Sequence, residues 1–212
     1  MILESISLSL QKGKAQDVKT FVKEALDNKI TPKEILDNGL IQGMNIIGEK
    51  FKNNEVFVPE VLIAARAMNA GLEILRPVLL SEGVKPIGKA LICTVKGDLH
   101  DIGKNLVKIM LEGKGIECID LGVDVAEDII IKAVQEHNPD ILCLSALLTT
   151  TMNYQRVIIE ALKKTNLRNS VKVMVGGAPV TEKYAKEIGA DGYSPDAASA
   201  ANLAVQLITE GV

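Results

Sequence analysis

The stretch VKGDLHDIGKN, Val95 to Asn105, holds one of the chain's two histidines and sets Asp98 and Asp101 on either side of it. A histidine that binds a metal through one ring nitrogen must give the proton of the other to an acceptor, and a carboxylate two residues earlier suits that task. His100 is therefore a candidate metal ligand and Asp98 its orienting partner. Gly103 and the pair Gly176-Gly177 lack side chains, which lets backbone approach a bulky ligand and take unusual dihedrals. Ser145 closes an apolar run in LSALLTTTM. Each feature also has a plainer reading. A lone D-x-H in a loop is often a hydrogen-bonded surface histidine, paired glycines make turns, and Ser145 or the threonines of LLTTTM can satisfy backbone at a strand end or helix start. His137, before NPD, fits a residue that compensates a helix dipole.

Competing chemistries lack their anchors. No G-x-G-x-x-G follows a strand, no G-x-x-x-x-G-K-[ST] is present and no G-x-S-x-G elbow appears, which argues against dinucleotide, P-loop and hydrolase sites. A phosphoacceptor receiver would need an early acidic pair and an aspartate after the third strand, and neither is found. Cys93, Cys118 and Cys143 are far apart in apolar runs with no C-x-x-C, so they read as buried, reduced thiols.

The elements that must position these residues fall into two halves. Up to about Ser81 apolar residues recur at helical spacing, as in Leu36, Leu40, Met44, Ile47 and Phe51. Segments near Leu3–Leu10 and Ala15–Asn28, a helix opened by the Thr31 N-cap with Pro32 and a returning Glu34, and one opened at Pro59 make a small bundle of about four helices. SEGVKPIGK, Ser81 to Lys89, is the linker, which predicts a helical domain over 1–83 and a second domain over 84–212. There KALICTV, IECIDLG, DILCLSA and VKVMVGG read as strands, with a weaker fifth near ADGYS. Helices are expected near Gly103–Glu112, Ala126–Glu136, Met152–Lys164, Glu182–Ile188 and Ala197–Thr209. Such alternation predicts an α/β fold, a flavodoxin-like, doubly wound, five-stranded parallel sheet behind a helical bundle. Ligands of such sheets sit beyond the carboxyl ends of the strands, where the connections diverge to opposite faces. The His100 loop, Ser145 and Gly176-Gly177 all follow strands at that edge.

Composition bounds the rest. A chain of 212 residues with 47% hydrophobic content can bury a real core. A net charge of −3, with basic and acidic residues interspersed, offers no broad positive field for nucleic acid or anionic lipid. No apolar run approaches bilayer length and the N-terminus lacks a secretory pattern, so a cytoplasmic location is expected.

The ordered set D-x-H-D-x-G (Asp98, His100, Asp101, Gly103), S-x-L (Ser145, Leu147) and G-G (Gly176, Gly177) resembles the cobalamin-binding proteins that hold their corrinoid with a protein histidine in place of its own nucleotide base. GMNIIGEKFKNNEVFVPEVLIAARAM, Gly43 to Met68, is similar to the helical cap that precedes the cobalamin domain in methionine synthase and in small corrinoid proteins, so the resemblance covers nearly the whole chain. It implies a corrinoid cofactor such as methylcobalamin, with His100 as the lower axial ligand of cobalt, and Asp98 and Ser145 completing a ligand triad that exchanges a proton. It further implies that Gly97, Leu99, Ile102 and the motif residues border the corrin. The nucleotide tail would run beside Ser145, Thr149 and Gly176-Gly177 to Ala197, while Phe51, Val58 and Val61 cover the methyl-bearing face.

By the same resemblance the chain is a methyl carrier that is not catalytic alone. Its cobalt(I) state takes a methyl group from a substrate-specific methyltransferase, and a second methyltransferase passes that group to tetrahydrofolate or a thiol coenzyme. Methyl-cobalt(III) accepts six ligands whereas cobalt(I) sheds its axial ones, so a released His100 can take a proton shared with Asp98 and Ser145. A reductive activase would rescue oxidised cobalt, and the cap would move about the Ser81–Lys89 linker to admit partners. Two other readings use the same pocket: a cobalamin-responsive sensor, for which no output segment is visible, and the cobalamin subunit of a carbon-skeleton mutase, whose chains lack this cap.

Overall fold

The structure, a computed structural model, describes residues 1–210 except for the side chain of Leu80. Its contacts divide the chain into two compact units. One comprises Met1–Pro86 with Gly113–Gly115, and the other begins at Ile87 and holds the remainder.

The first unit is helical. Helices α1 (Ile2–Gln11), α2 (Ala15–Asp27), α3 (Pro32–Ile35), α4 (Gln42–Lys52) and α5 (Val58–Ser81) are its regular α elements. Residues Leu36–Ile41 are wound as π-helical turns that join α3 to α4, so Pro32–Lys52 forms one continuous rod. The four helices expected from periodicity are thus four rods, one of which contains a π segment. Thr31 caps that rod by accepting the Glu34 amide on Oγ1 at 3.2 Å; the Glu34 carboxylate returns to the Thr31 hydroxyl at 3.5 Å instead of to its backbone N–H. Ile6 and Leu10, Val18 and Val22, Leu40 and Ile47, and Val61 and Leu75 form its buried core. Gly39 and Gly43 let α1 approach closely, since a Cβ on Gly43 would stand 3.2 Å from the backbone of Ser7. α5 starts one residue before Pro59 and continues through Pro77. No helix among the described residues is long and apolar enough to cross a membrane.

The second unit alternates strand and helix: β1 (Lys89–Val95), α6 (Ile102–Gly113), β2 (Glu117–Val125), α7 (Glu127–His137), β3 (Ile141–Ser145), α8 (Thr149–Lys164), β4 (Lys172–Gly176), α9 (Glu182–Ile188), β5 (Gly192–Tyr193) and α10 (Ala197–Thr209). All pairings are parallel, in the order β2-β1-β3-β4-β5. Side chains alternate across the sheet. Leu91, Cys93 and Val95 of β1, Leu142 and Leu144 of β3 and Val173 and Val175 of β4 join Ile130, Ile158, Ile159, Leu162 and Ile188 in one core. The opposite face carries Ile92, Cys143 and Met174, and beside it Gly192 lies against Met174 and against Leu203 and Leu207 of α10. The connection leaving β1 therefore runs to one side of the sheet and that leaving β3 to the other, which opens a crevice beyond their carboxyl ends.

Three details depart from expectation. α8 begins at Thr149, three residues earlier than the periodicity suggests, and β2 runs on to Val125 through two irregularities in its register with β1. Cys93 and Cys143 are buried but Cys118 is only half-buried. Burial pushes the thiols of Cys93 and Cys143 up to about 12 and raises that of Cys118 as well, so all three hold their protons at neutral pH.

Candidate functional site

Asp98 is the centre of the site. It follows β1 after a turn in which its amide donates to the Val95 carbonyl at 3.1 Å, and its side chain is wholly shielded from solvent. Oδ1 faces the imidazole Nδ1 of His100 at 2.7 Å and accepts the His100 backbone N–H at 3.1 Å. Oδ2 accepts the amides of Leu147 at 2.7 Å and Leu148 at 3.3 Å, and the hydroxyl of Thr151 at 2.7 Å. Burial opposes the charge, but the hydrogen bonds from Thr151, His100 and Leu147 outweigh it and hold the carboxyl far below its ordinary range. Asp98 is therefore an anion that can only accept, which places an imidazole proton on Nδ1 and, in the neutral ring, leaves Nε2 with the lone pair.

His100 is fixed at its backbone too. Its carbonyl accepts the hydroxyl of buried Thr94, the penultimate residue of β1, at 2.8 Å. Its ring remains half-exposed at 51%, with no hydrogen bond to Nε2 among the described residues. Leu99 and Ile102 flank it with apolar side chains that are 72% and 76% exposed. Asp101, expected at the site by motif, precedes α6. Its carbonyl accepts the Asn105 amide at 2.7 Å and its carboxylate accepts the Asn105 side chain at 3.1 Å, so it stabilises the start of that helix.

The β3 and β4 ends form the adjoining wall. Ser145 is the last residue of β3, in register with Thr94 of β1 and Gly176 of β4. Its hydroxyl makes no hydrogen bond to Asp98; the third member of the chain from His100 through Asp98 is Thr151. The expected triad of His100, Asp98 and Ser145 is thus His100, Asp98 and Thr151 here, because the first turn of α8 brings Thr151 onto Oδ2 while Ser145 stops at the strand end. Thr149 opens α8 and is exposed. A Cβ on Gly177, whose φ is +126°, would stand 1.8 Å from the Ala146 carbonyl oxygen, so only glycine fits against that backbone. Beside Gly176 and Gly103, by contrast, there is open space. Ala197 is the buried first residue of α10, directly after the Asp196 N-cap. On the helical unit, Val61 is buried and Phe51 and Val58 are half-buried, while Phe57 and Leu62 nearby are more exposed.

Sequence reasoning missed three residues: Thr94, Thr151 and Asp124. Asp124 Oδ1 accepts the Gly97 amide at 2.7 Å, and its own amide donates to the Asp98 carbonyl at 3.0 Å. The donor set fits a metal-centred macrocycle held by one protein ligand. A single imidazole nitrogen is presented with its tautomer fixed, the rim beside it is apolar, and glycines keep the adjoining space open.

Known proteins resemble this chain over most of its length. Residues 88–202 match a family model described as a B12 binding domain, and residues 2–76 match a second model of the same description. A corrinoid protein of Desulfitobacterium hafniense is 38% identical over 210 residues, covering 98% of this chain and 97% of that protein. Trimethylamine corrinoid protein 2 of Methanosarcina acetivorans is 44% identical over 181 residues, or 84% and 83% of the two chains. The crystal structure of the methanol:cobalamin methyltransferase complex MtaBC from Methanosarcina barkeri contains a chain that superposes with a TM-score of 0.86 at 29% identity, over 98% of this chain and 80% of that one.

Proposed function

The chain belongs to the B12-binding corrinoid proteins and carries a corrinoid cofactor; from that membership we propose that it is the methyl-carrying subunit of a methyltransferase system for a simple methylated substrate, a methylamine or methanol. Relatives named for trimethylamine and for methanol support the substrate class. When bound, the corrinoid supplies a nucleophilic cobalt that takes up a methyl group and gives it up again. A substrate-specific methyltransferase loads it, and a second methyltransferase unloads it to tetrahydrofolate or a thiol coenzyme.

The observation that carries this reading is the free Nε2 of His100 opposite a Nδ1 bonded to buried, anionic Asp98. His100 would hold the cobalt through Nε2, and Asp98 orients the ring and keeps Nδ1 protonated. Thr151 and the amides of Leu147 and Leu148 keep Asp98 charged, so it goes on accepting from the ring and holding it in place. Leu99 and Ile102 supply apolar contact beside the ligand. Ser145, Thr149, the Gly176-Gly177 turn and Ala197 lie at or next to the carboxyl ends of their strands, which suits a slot for the displaced nucleotide tail.

Replacing His100 with alanine tests the reading. The fold, read by circular dichroism, is expected to persist while the absorption signature of histidine-ligated methylcobalamin disappears. An unchanged spectrum would refute the ligand assignment. Transfer assays with methylamine and methanol methyltransferases, and with both acceptor classes, then assign donor and acceptor.

A further inference from the structure

The register of β1 with β2 breaks twice where the site begins. Ile92 pairs with Asp120, Cys93 with Gly122 and Val95 with Val125, so an advance of three residues on β1 is matched by five on β2. Bulges of this kind re-aim a strand end. Here they place Asp124 in the left-handed region, at φ 54°, a conformation that aspartate tolerates better than most side chains. From it, Asp124 grips the β1–α6 loop at two points. Its carboxylate Oδ1 accepts the amide of Gly97, itself at φ 81°, at 2.7 Å, and its amide donates to the Asp98 carbonyl at 3.0 Å.

Asp124 is exposed. Water could therefore satisfy the Gly97 N–H without any protein acceptor, so the need to pair a backbone group does not account for the carboxylate. What water cannot do is fix position. Asp98 must meet His100 on one oxygen and Leu147, Leu148 and Thr151 on the other at once, and such a constellation tolerates displacements of only about half an ångström. Asp98 has no freedom on its side-chain end, and Asp124 removes the freedom on its backbone end.

We propose that Asp124 is a positioning residue for the axial imidazole. By clamping the Gly97–Asp98 backbone from β2, it sets where Asp98, and through it Nε2 of His100, is presented to the corrinoid. The inference rests on the reading of His100 as axial ligand. A side chain acting in this way from outside the direct ligand sphere is worth about tenfold or more in affinity.

The test compares Asp124→Gly with Asp124→Asn. Glycine suits the left-handed backbone and removes only the acceptor; asparagine keeps both the backbone preference and an acceptor oxygen. In the cofactor-free protein, hydrogen exchange of the Gly97 amide is expected to quicken at least tenfold in D124G and to stay near wild type in D124N. With aquocobalamin as probe, D124G is expected to bind about tenfold more weakly. After reduction to cob(II)alamin in 15N-labelled protein, a histidine ligand gives a two-line electron paramagnetic resonance splitting and the cofactor's own 14N base a three-line one; D124G should lose much of the two-line pattern, and D124N should restore both properties. Wild-type protein showing only the three-line splitting of the cofactor's own base would overturn the ligand assignment itself. Wild type with the two-line splitting of a protein nitrogen, alongside D124G equal to it in exchange, affinity and spectrum, would overturn the positioning role alone, as would a D124N protein as impaired as D124G.

Discussion

Thr151 Oγ1 stands 2.7 Å from Asp98 Oδ2, across 53 residues of chain, and this bond ties the first turn of α8 to the loop that carries His100. The hydroxyl also lies 3.1 Å from the Leu148 carbonyl, but its one proton is best spent on the buried carboxylate, because charge-assisted bonds are the stronger. Replacing Thr151 with valine keeps shape and removes the donor. We expect a stability loss of about 1.5–3 kcal/mol in urea unfolding of the cofactor-free protein, the range for a hydrogen bond to a charged group. A variant as stable as wild type would remove Thr151 from the network.

The same bond predicts a pH dependence. Asp98 is held below its unfolded value of about 3.9, so its contribution to stability is complete well above that pH. It is lost as the pH falls through the unfolded value towards the folded one. T151V raises the folded value and shrinks that contribution. The difference between wild-type and T151V urea midpoints should therefore be largest above about pH 5 and narrow as the pH falls below about 4. A gap that stayed constant from pH 7 to pH 3 would contradict the assignment.

Glycines at the site separate into two kinds. Gly177→Ala would drive a methyl into the Ala146 carbonyl at a φ that side-chain-bearing residues avoid, and is expected to cost about 3 kcal/mol in thermal or urea unfolding. Gly176→Ala and Gly103→Ala meet nothing within 4 Å, so both should leave the melting curve within about 0.5 kcal/mol of wild type or slightly raise it. On the proposed reading both should weaken aquocobalamin binding measured by equilibrium dialysis, since the added methyl would enter space left open for the cofactor. Unchanged binding in both would show that this space is not used.

Beneath the His100 loop, Lys104 of α6 is nearly inaccessible and its Nζ meets both oxygens of Asp120 and the Asn105 amide oxygen, each at 2.7 Å. Asp120→Ala strands that cation and is expected to cost about 3–5 kcal/mol by chemical denaturation, whereas a paired replacement by apolar residues should recover most of the loss. Equal stability of the single and double variants would mean that the ion pair is solvated.

Much of this architecture was legible in the sequence because the local signals agree with one another. β1, β3 and β4 are apolar on both faces and fall within a residue of their expected limits, and the D-x-H loop follows β1 directly. Thr151 was not legible for a physical reason. Thr149, Thr150 and Thr151 are chemically identical in sequence, and only the phase of α8, set by where the helix starts, decides which hydroxyl meets Asp98. Ser145 is the partner that the family resemblance implies, yet a strand end fixes direction without reach. Asp124 was hidden by the two register breaks in β2, where period-two alternation stops describing which way a side chain faces. The π turns of Leu36–Ile41 escaped likewise, since one widened turn leaves the apolar spacing of a helix almost unchanged.

Asp98 Oδ2 draws its partners from residues 49 to 53 positions further along, beyond a strand that must first lie beside β1. A nascent chain that has passed the D-x-H motif but has yet to emerge through α8 owns the histidine without the means to aim it. On the reading of His100 as cobalt ligand, a corrinoid would find that imidazole aimed only in a sheet whose β1 and β3 are already zipped together.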